Sequence, residues 1–131
     1  MNLTILTTGG TIEKVYDEIE GSLENRDTIV KNKILQKLRL PYTWIEVHTL
    51  MSKDSLLMTE LDRELILASI KQHEETGRPI VILHGTDTMD KSAKHCYEHY
   101  PRVKVPVVFT GAMKPLGFDD SDAAQNVIEA I

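Results

Sequence analysis

Short apolar runs alternate with longer amphipathic ones along this chain, which is the pattern of strands and helices in turn. Leu3-Thr4-Ile5-Leu6 predicts a first strand over about residues 2–7. Residues 14–27 are polar, hold Gly21 and show no clear period, so they read as a mobile loop. Ile29, Ile34, Leu35 and Leu38 make a rough apolar stripe, predicting a helix over 28–38 before Pro41. Trp44, Ile45 and Val47 predict a second strand over 43–48, and residues 49–58 read as a loop. Thr59, with Asp62 three residues on, predicts a helix start. That helix runs to about Thr76, with Leu61, Leu65 and Ala68 on one face and Gly77 as its stop. Residues 79–83, apolar almost throughout, predict a strand covered on both faces. A helix over 89–99, a strand over 105–110, a loop over 111–115 and a last helix from Ser121 or Asp122 follow. Val127, Ile128 and Ile131 give that last helix an apolar face that needs cover.

This order predicts an α/β fold, a mostly parallel sheet flanked by helices. The 131 residues fit one domain large enough for a real core. Twenty acidic residues against fifteen basic ones leave a net charge of −5, which gives no reason to expect a nucleic acid or an anionic membrane as partner. Cys96 is the single cysteine, so neither an intrachain disulfide nor a cysteine-based zinc site can form. No apolar run is long enough to cross a bilayer, and no secretion signal opens the chain, so the cytoplasm is the expected compartment.

Three predicted strands end in turns that carry hydroxyls: Gly9-Gly10-Thr11, Gly85-Thr86-Asp87 and Thr110-Gly111. In a parallel sheet these ends share one edge, where open α/β sheets place their ligands. Threonine is a weak nucleophile until a base takes its proton. Its attack on a carbonyl creates an oxyanion that convergent N–H donors, expected to be free at these turns, can stabilise. The inventory suits acyl transfer with Thr11 as nucleophile. Each motif also has a plainer reading: Gly-Gly-Thr is a common turn, and Asp87 is able to cap the next helix.

Thr8-Gly9-Gly10-Thr11-Ile12 and His84-Gly85-Thr86-Asp87-Thr88-Met89 resemble the two signature motifs of bacterial-type L-asparaginases. Thr110-Gly111-Ala112-Met113 and Ser121-Asp122-Ala123-Ala124-Gln125-Asn126 resemble two further segments of that family. The match spans almost the whole chain in order and is closest to the short, single-domain form. The resemblance implies that Thr11 attacks the side-chain amide of asparagine, with Tyr16 as the flap tyrosine lying against it. Thr86 then takes part in the proton relay, and Asp87 helps to hold the substrate's amino group. Ser52 holds the α-carboxylate, while Gly10, Lys53 and Gly85 complete the substrate-binding set. The reaction releases ammonia and then aspartate, needs no cofactor or metal, and is expected in a homo-oligomer acting on asparagine or a related amide.

Lys53 stands where many members carry a glutamine near that amino group, and its ammonium would repel the amine unless it points away or pairs with Asp54. The family's relay lysine follows a strand after the last helix, so the domain is expected to be cut off before that strand and that lysine, with little turnover of its own. Lys91, Lys94 and Lys114 read as solvated charges rather than substitutes. The rivals are an inactive or fragmentary member that binds a small amino-acid ligand, an ammonia-supplying amidotransferase subunit, and a Rossmann-type nucleotide binder whose glycine fingerprint is absent. His95-Cys96-Tyr97-Glu98-His99 matches the H-x-x-E-H pattern of some zinc proteases, but no acidic ligand is evident downstream, so no metal site is expected. His84 reads as a hydrogen-bonded structural histidine, and Asp119, Asp120 and Asp122 as helix-start acids.

Overall fold

The first strand, β1 (Asn2–Gly9), is buried from Leu3 onward, because it pairs on both sides. A computed structural model describes residues 1–25 and 40–131 of the chain, so the helix expected over 28–38 lies outside the described residues. β1 is followed by a 3-10 turn (Thr11–Glu13) and by two short strands, β2 (Lys14–Asp17) and β3 (Ser22–Asn25). Next come β4 (Trp44–Lys53), a 3-10 turn (Ser55–Leu57), helix α1 (Glu60–Glu74) and β5 (Ile80–Leu83). Helix α2 (Met89–His99), β6 (Val107–Thr110) and helix α3 (Ala123–Ala130) complete the described order.

The expected α/β architecture is present. Four strands pair in parallel in the order β4-β1-β5-β6, while β2 and β3 form an antiparallel pair of their own. Alternation along the strands sends side chains to two cores. Ile80 and Ile82 join Leu6, Ile66, Leu67 and Ile70 beneath α1 and α2. Val81 and Leu83 join Leu3, Ile5, Ala123 and Val127 beneath α3. Each fully buried Leu or Ile contributes about 1.5–3 kcal/mol relative to exposure.

Local signals place α1 accurately. Thr59 accepts from the Asp62 amide at 3.3 Å while its own amide donates to the Asp62 carboxylate at 2.8 Å, so the capping box is complete. Gly77, at φ 69°, follows its end.

Four expectations need correction. Residues 14–27 contain the β2–β3 hairpin rather than an aperiodic loop, because side chains that lack a core pattern still pair through backbone. The second strand runs on to Lys53 because β1 supplies a partner along its length. The buried face of α1 is Arg63, Ile66, Leu67 and Ile70, whereas Leu61 is 81% exposed and Leu65 and Ala68 also face out. The helix carries two apolar stripes, and contact with Leu6, Ile80 and Ile82 chooses between them. Finally, α3 is covered within the chain: Val127 is fully buried, Ile131 packs on the same core, and only Ile128 of the predicted face stays exposed.

Candidate active site

β1 lies between β4 and β5, so consecutive parallel strands leave it on opposite sides. Connections that diverge in this way open a crevice at the carboxyl ends of the two strands. The Thr11 turn follows β1 and the Thr86 turn follows β5, so the two signature motifs form the two lips of that switch point.

Glycine allows the lips to touch. Gly10 has φ 86°, and a Cβ there would fall 2.5 Å from both the Cα and the amide nitrogen of Gly85. A Cβ on Gly85 would in turn fall 2.6 Å from Ser55 Oγ. Backbone therefore meets backbone where any side chain would hold the two strands apart. Thr11 and Thr86 are each one residue from this contact. The end of β4 joins the same edge, since the Gly10 amide donates to the Lys53 carbonyl at 3.0 Å.

The predicted site residues are distributed unevenly around this edge. Thr11 opens the 3-10 turn and is half-buried, while Thr86 and Asp87 are exposed on their turn. Asp87 does not cap α2. The N-cap position belongs to Thr88, whose hydroxyl donates instead to the Ser55 carbonyl at 2.8 Å. Ser52 is half-buried near the end of β4. Two of the backbone N–H groups expected to be free are engaged: Gly9 donates to the Glu13 carboxylate and Gly10 to Lys53.

Lys53 is paired, but its partner is Asp62 rather than Asp54. Its Nζ lies 2.9 Å from each Asp62 carboxylate oxygen at the start of α1. This contact, with the Thr59 amide, holds the Asp62 carboxyl below the usual aspartate range. Asp54 pairs with Lys14 at 3.4 Å and caps the 3-10 turn through the Leu56 amide. Tyr16 sits on β2 and is 55% exposed. It borders a cavity of about 250 Å³ whose walls include Ile12, Glu13, Leu116 and Phe118, but not Thr11, Ser52, Thr86 or Asp87. That cavity flanks the candidate site without containing its threonines.

Structural side chains brace the lips. His84 is fully buried; its Nδ1–H donates to the Gly85 carbonyl at 2.7 Å and its Nε2 accepts from the Ser92 hydroxyl at 2.7 Å. Burial pushes its pKa below the usual imidazole value, so the ring is neutral and ties the Thr86 turn to α2. Asp122 accepts from the Met113 and Lys114 amides at 3.0 and 3.1 Å, and Asn126 donates to the Gly111 carbonyl at 2.9 Å. The Ser121–Asn126 motif thus fastens the loop after β6. Among the three lysines, Lys114 pairs with Asp120, Lys94 lies 3.8 Å from Glu98, and Lys91 is exposed.

Two residues at this edge escaped the sequence reading. Ser55 is buried, its hydroxyl has no partner among the described residues, and it lies under Gly85. Its place after the helix-capping Asp54 was the available signal. Glu13 is also buried, and its position three residues after Gly10 has capping-box spacing.

Relatives match this chain over nearly its whole length. A sequence profile described as "Asparaginase, N-terminal" matches residues 2–131. L-asparaginase 1 of Escherichia coli is 30% identical over 135 residues, which cover 99% of this chain and 39% of that protein. A glutamyl-tRNA(Gln) amidotransferase component from Methanococcus maripaludis is 30% identical over 131 residues, covering 99% of this chain and 31% of that one. The structure of the thermostable L-asparaginase from Thermococcus kodakarensis superposes with a TM-score of 0.85 at 30% identity, over 99% of this chain and 39% of that chain. The chain spans under two-fifths of the length of each of these three proteins. With the profile matched over nearly every residue and the same fold in a 30%-identical structure, the chain belongs to the asparaginase family and forms its N-terminal domain.

Proposed function

We propose that this domain supplies the nucleophile and much of the substrate pocket of an amidohydrolase acting on the side-chain amide of asparagine. Thr11 Oγ attacks the amide carbon, ammonia leaves, and water hydrolyses the resulting ester to aspartate. Thr86 relays the proton, Tyr16 closes over Thr11, and Asp87 takes the substrate's amino group. Ser52 takes its α-carboxylate, and Gly10 and Gly85 line the floor. The observation that supports this reading is the close backbone approach of Gly10 to Gly85, the residues directly before Thr11 and Thr86. The pairing of Lys53 with Asp62 supports it, because the ammonium is neutralised away from the amine it would otherwise repel. Two relatives named L-asparaginase support the reaction class. A threonine nucleophile on an amide calls on no metal or organic cofactor, and a cytoplasmic homo-oligomer is the expected setting.

The test is ammonia release from L-asparagine. Thr11→Ala is expected to abolish the low ammonia release of the wild-type chain while L-aspartate still binds. A wild-type chain that binds neither asparagine nor aspartate at millimolar concentration removes the substrate assignment. A second reading rests on the relative named as part of an amidotransferase. It predicts ammonia release only when a partner protein is added. Aspartate binding without turnover under either condition marks a non-catalytic binder.

A further inference from the structure

Away from the sheet edge, the facing surfaces of α1 and α2 gather two histidines and two carboxylates. His95 and His99 are one turn apart on α2, and their rings stack with centroids 4.2 Å apart and planes 25° from parallel. Glu64, on α1, brings Oε1 to 2.8 Å from His95 Nε2. One ligand atom from each of Glu64, His95 and His99 lies within 4.8 Å of the other two.

The remaining ring nitrogens are already occupied in the way metal-binding histidines require. His99 Nδ1 faces the His95 carbonyl at 2.8 Å. A carbonyl only accepts, so Nδ1 carries the proton and Nε2 keeps its lone pair. His95 Nδ1 lies 3.4 Å from Glu60 Oε2, which can hold a proton there once an ion replaces the proton that Nε2 shares with Glu64. Such hydrogen bonds on the far nitrogen fix the tautomer and orientation of ligating histidines.

We propose that Glu64 Oε1, His95 Nε2 and His99 Nε2 bind a divalent transition metal of the zinc class. Two imidazoles and a carboxylate match zinc's preferred donors, and three protein ligands leave one position for water. Modest rotation of the exposed Glu64 and His99 side chains brings the three atoms to bonding distance. The ligands come from two helices, so the ion ties α1 to α2, and this role does not depend on the amidohydrolase reading. The third ligand stands 31 residues upstream of His95 on another helix. A search for an acid downstream of the H-x-x-E-H pattern cannot find it.

Titration of the 131-residue chain with zinc chloride, followed by calorimetry, tests the proposal. One ion is expected to bind per chain and to raise Tm by roughly 10 °C at a free concentration of about 100 times Kd. His99→Ala and Glu64→Gln are each expected to weaken binding by about 100-fold, whereas His48→Ala leaves it unchanged. Both substituted side chains are exposed, so metal-free circular dichroism and Tm of the variants are expected to match the wild type. Glu64→Gln alone suffices should His99→Ala fail to fold. Absence of binding at submillimolar zinc, or binding that survives both substitutions, overturns the proposal.

Discussion

The Thr11 turn and the Tyr16 hairpin are adjacent in the chain yet held in opposite ways. Gly10 touches Gly85, Gly85 lies on Ser55, and His84 pins the same turn to α2, so the position of Thr11 is set by backbone packed on backbone. Among the described residues β2 and β3 form a two-stranded sheet, with Tyr16 55% and Ile19 93% exposed. A two-stranded hairpin has little stability of its own in water. The position of Thr11 is therefore a property of the folded core. The tyrosine's position depends on what the hairpin packs against.

The largest break in this contrast is Gly10→Ala. Its methyl would meet Gly85 backbone at 2.5 Å, and φ 86° is strained for any residue with a side chain. A loss of about 3 kcal/mol or more is expected in urea unfolding, with loss of aspartate binding. Next is His84→Ala, which leaves the Ser92 hydroxyl without its acceptor and opens a cavity. It is expected to cost about 2–3 kcal/mol by the same measurement.

Asp122→Ala removes a smaller brace, about 1 kcal/mol at neutral pH. Amides of Met113 and Lys114 hold this carboxyl below the usual aspartate range. Its contribution is complete above the unfolded pKa of about 3.9 and fades as pH falls through the lower native value. The stability gap between wild type and variant should close over that acid window, and a gap constant with pH removes the assignment. The smallest effect is Tyr16→Phe, within about 0.5 kcal/mol in stability. Amide exchange sharpens the comparison: β2 and β3 are expected to exchange well before β1. Equal protection in the two regions would erase the contrast.

Much of this fold was legible because its signals are short in range. The Thr59–Asp62 capping box, Gly77 and the apolar run 80–83 each act over a few residues, and they located α1 and β5 without tertiary information. The two signature motifs were legible for the same reason. The hairpin was not, since its pairing rests on backbone hydrogen bonds that leave no mark in the hydrophobic period. Nor was the role of Ser55, whose meaning comes from a glycine 30 residues away.

From the order of residues alone follow the strand and helix segments, the two threonine-bearing turns and their common edge, because periodicity, caps and parallel topology are local or nearly so. Packing alone decided which stripe of α1 is buried, that Lys53 answers to Asp62, and that Glu64 meets His95 and His99. Each of these is a choice between faces and partners that local pattern leaves equivalent. Only volume and charge brought together from separate elements make one of them lower in free energy.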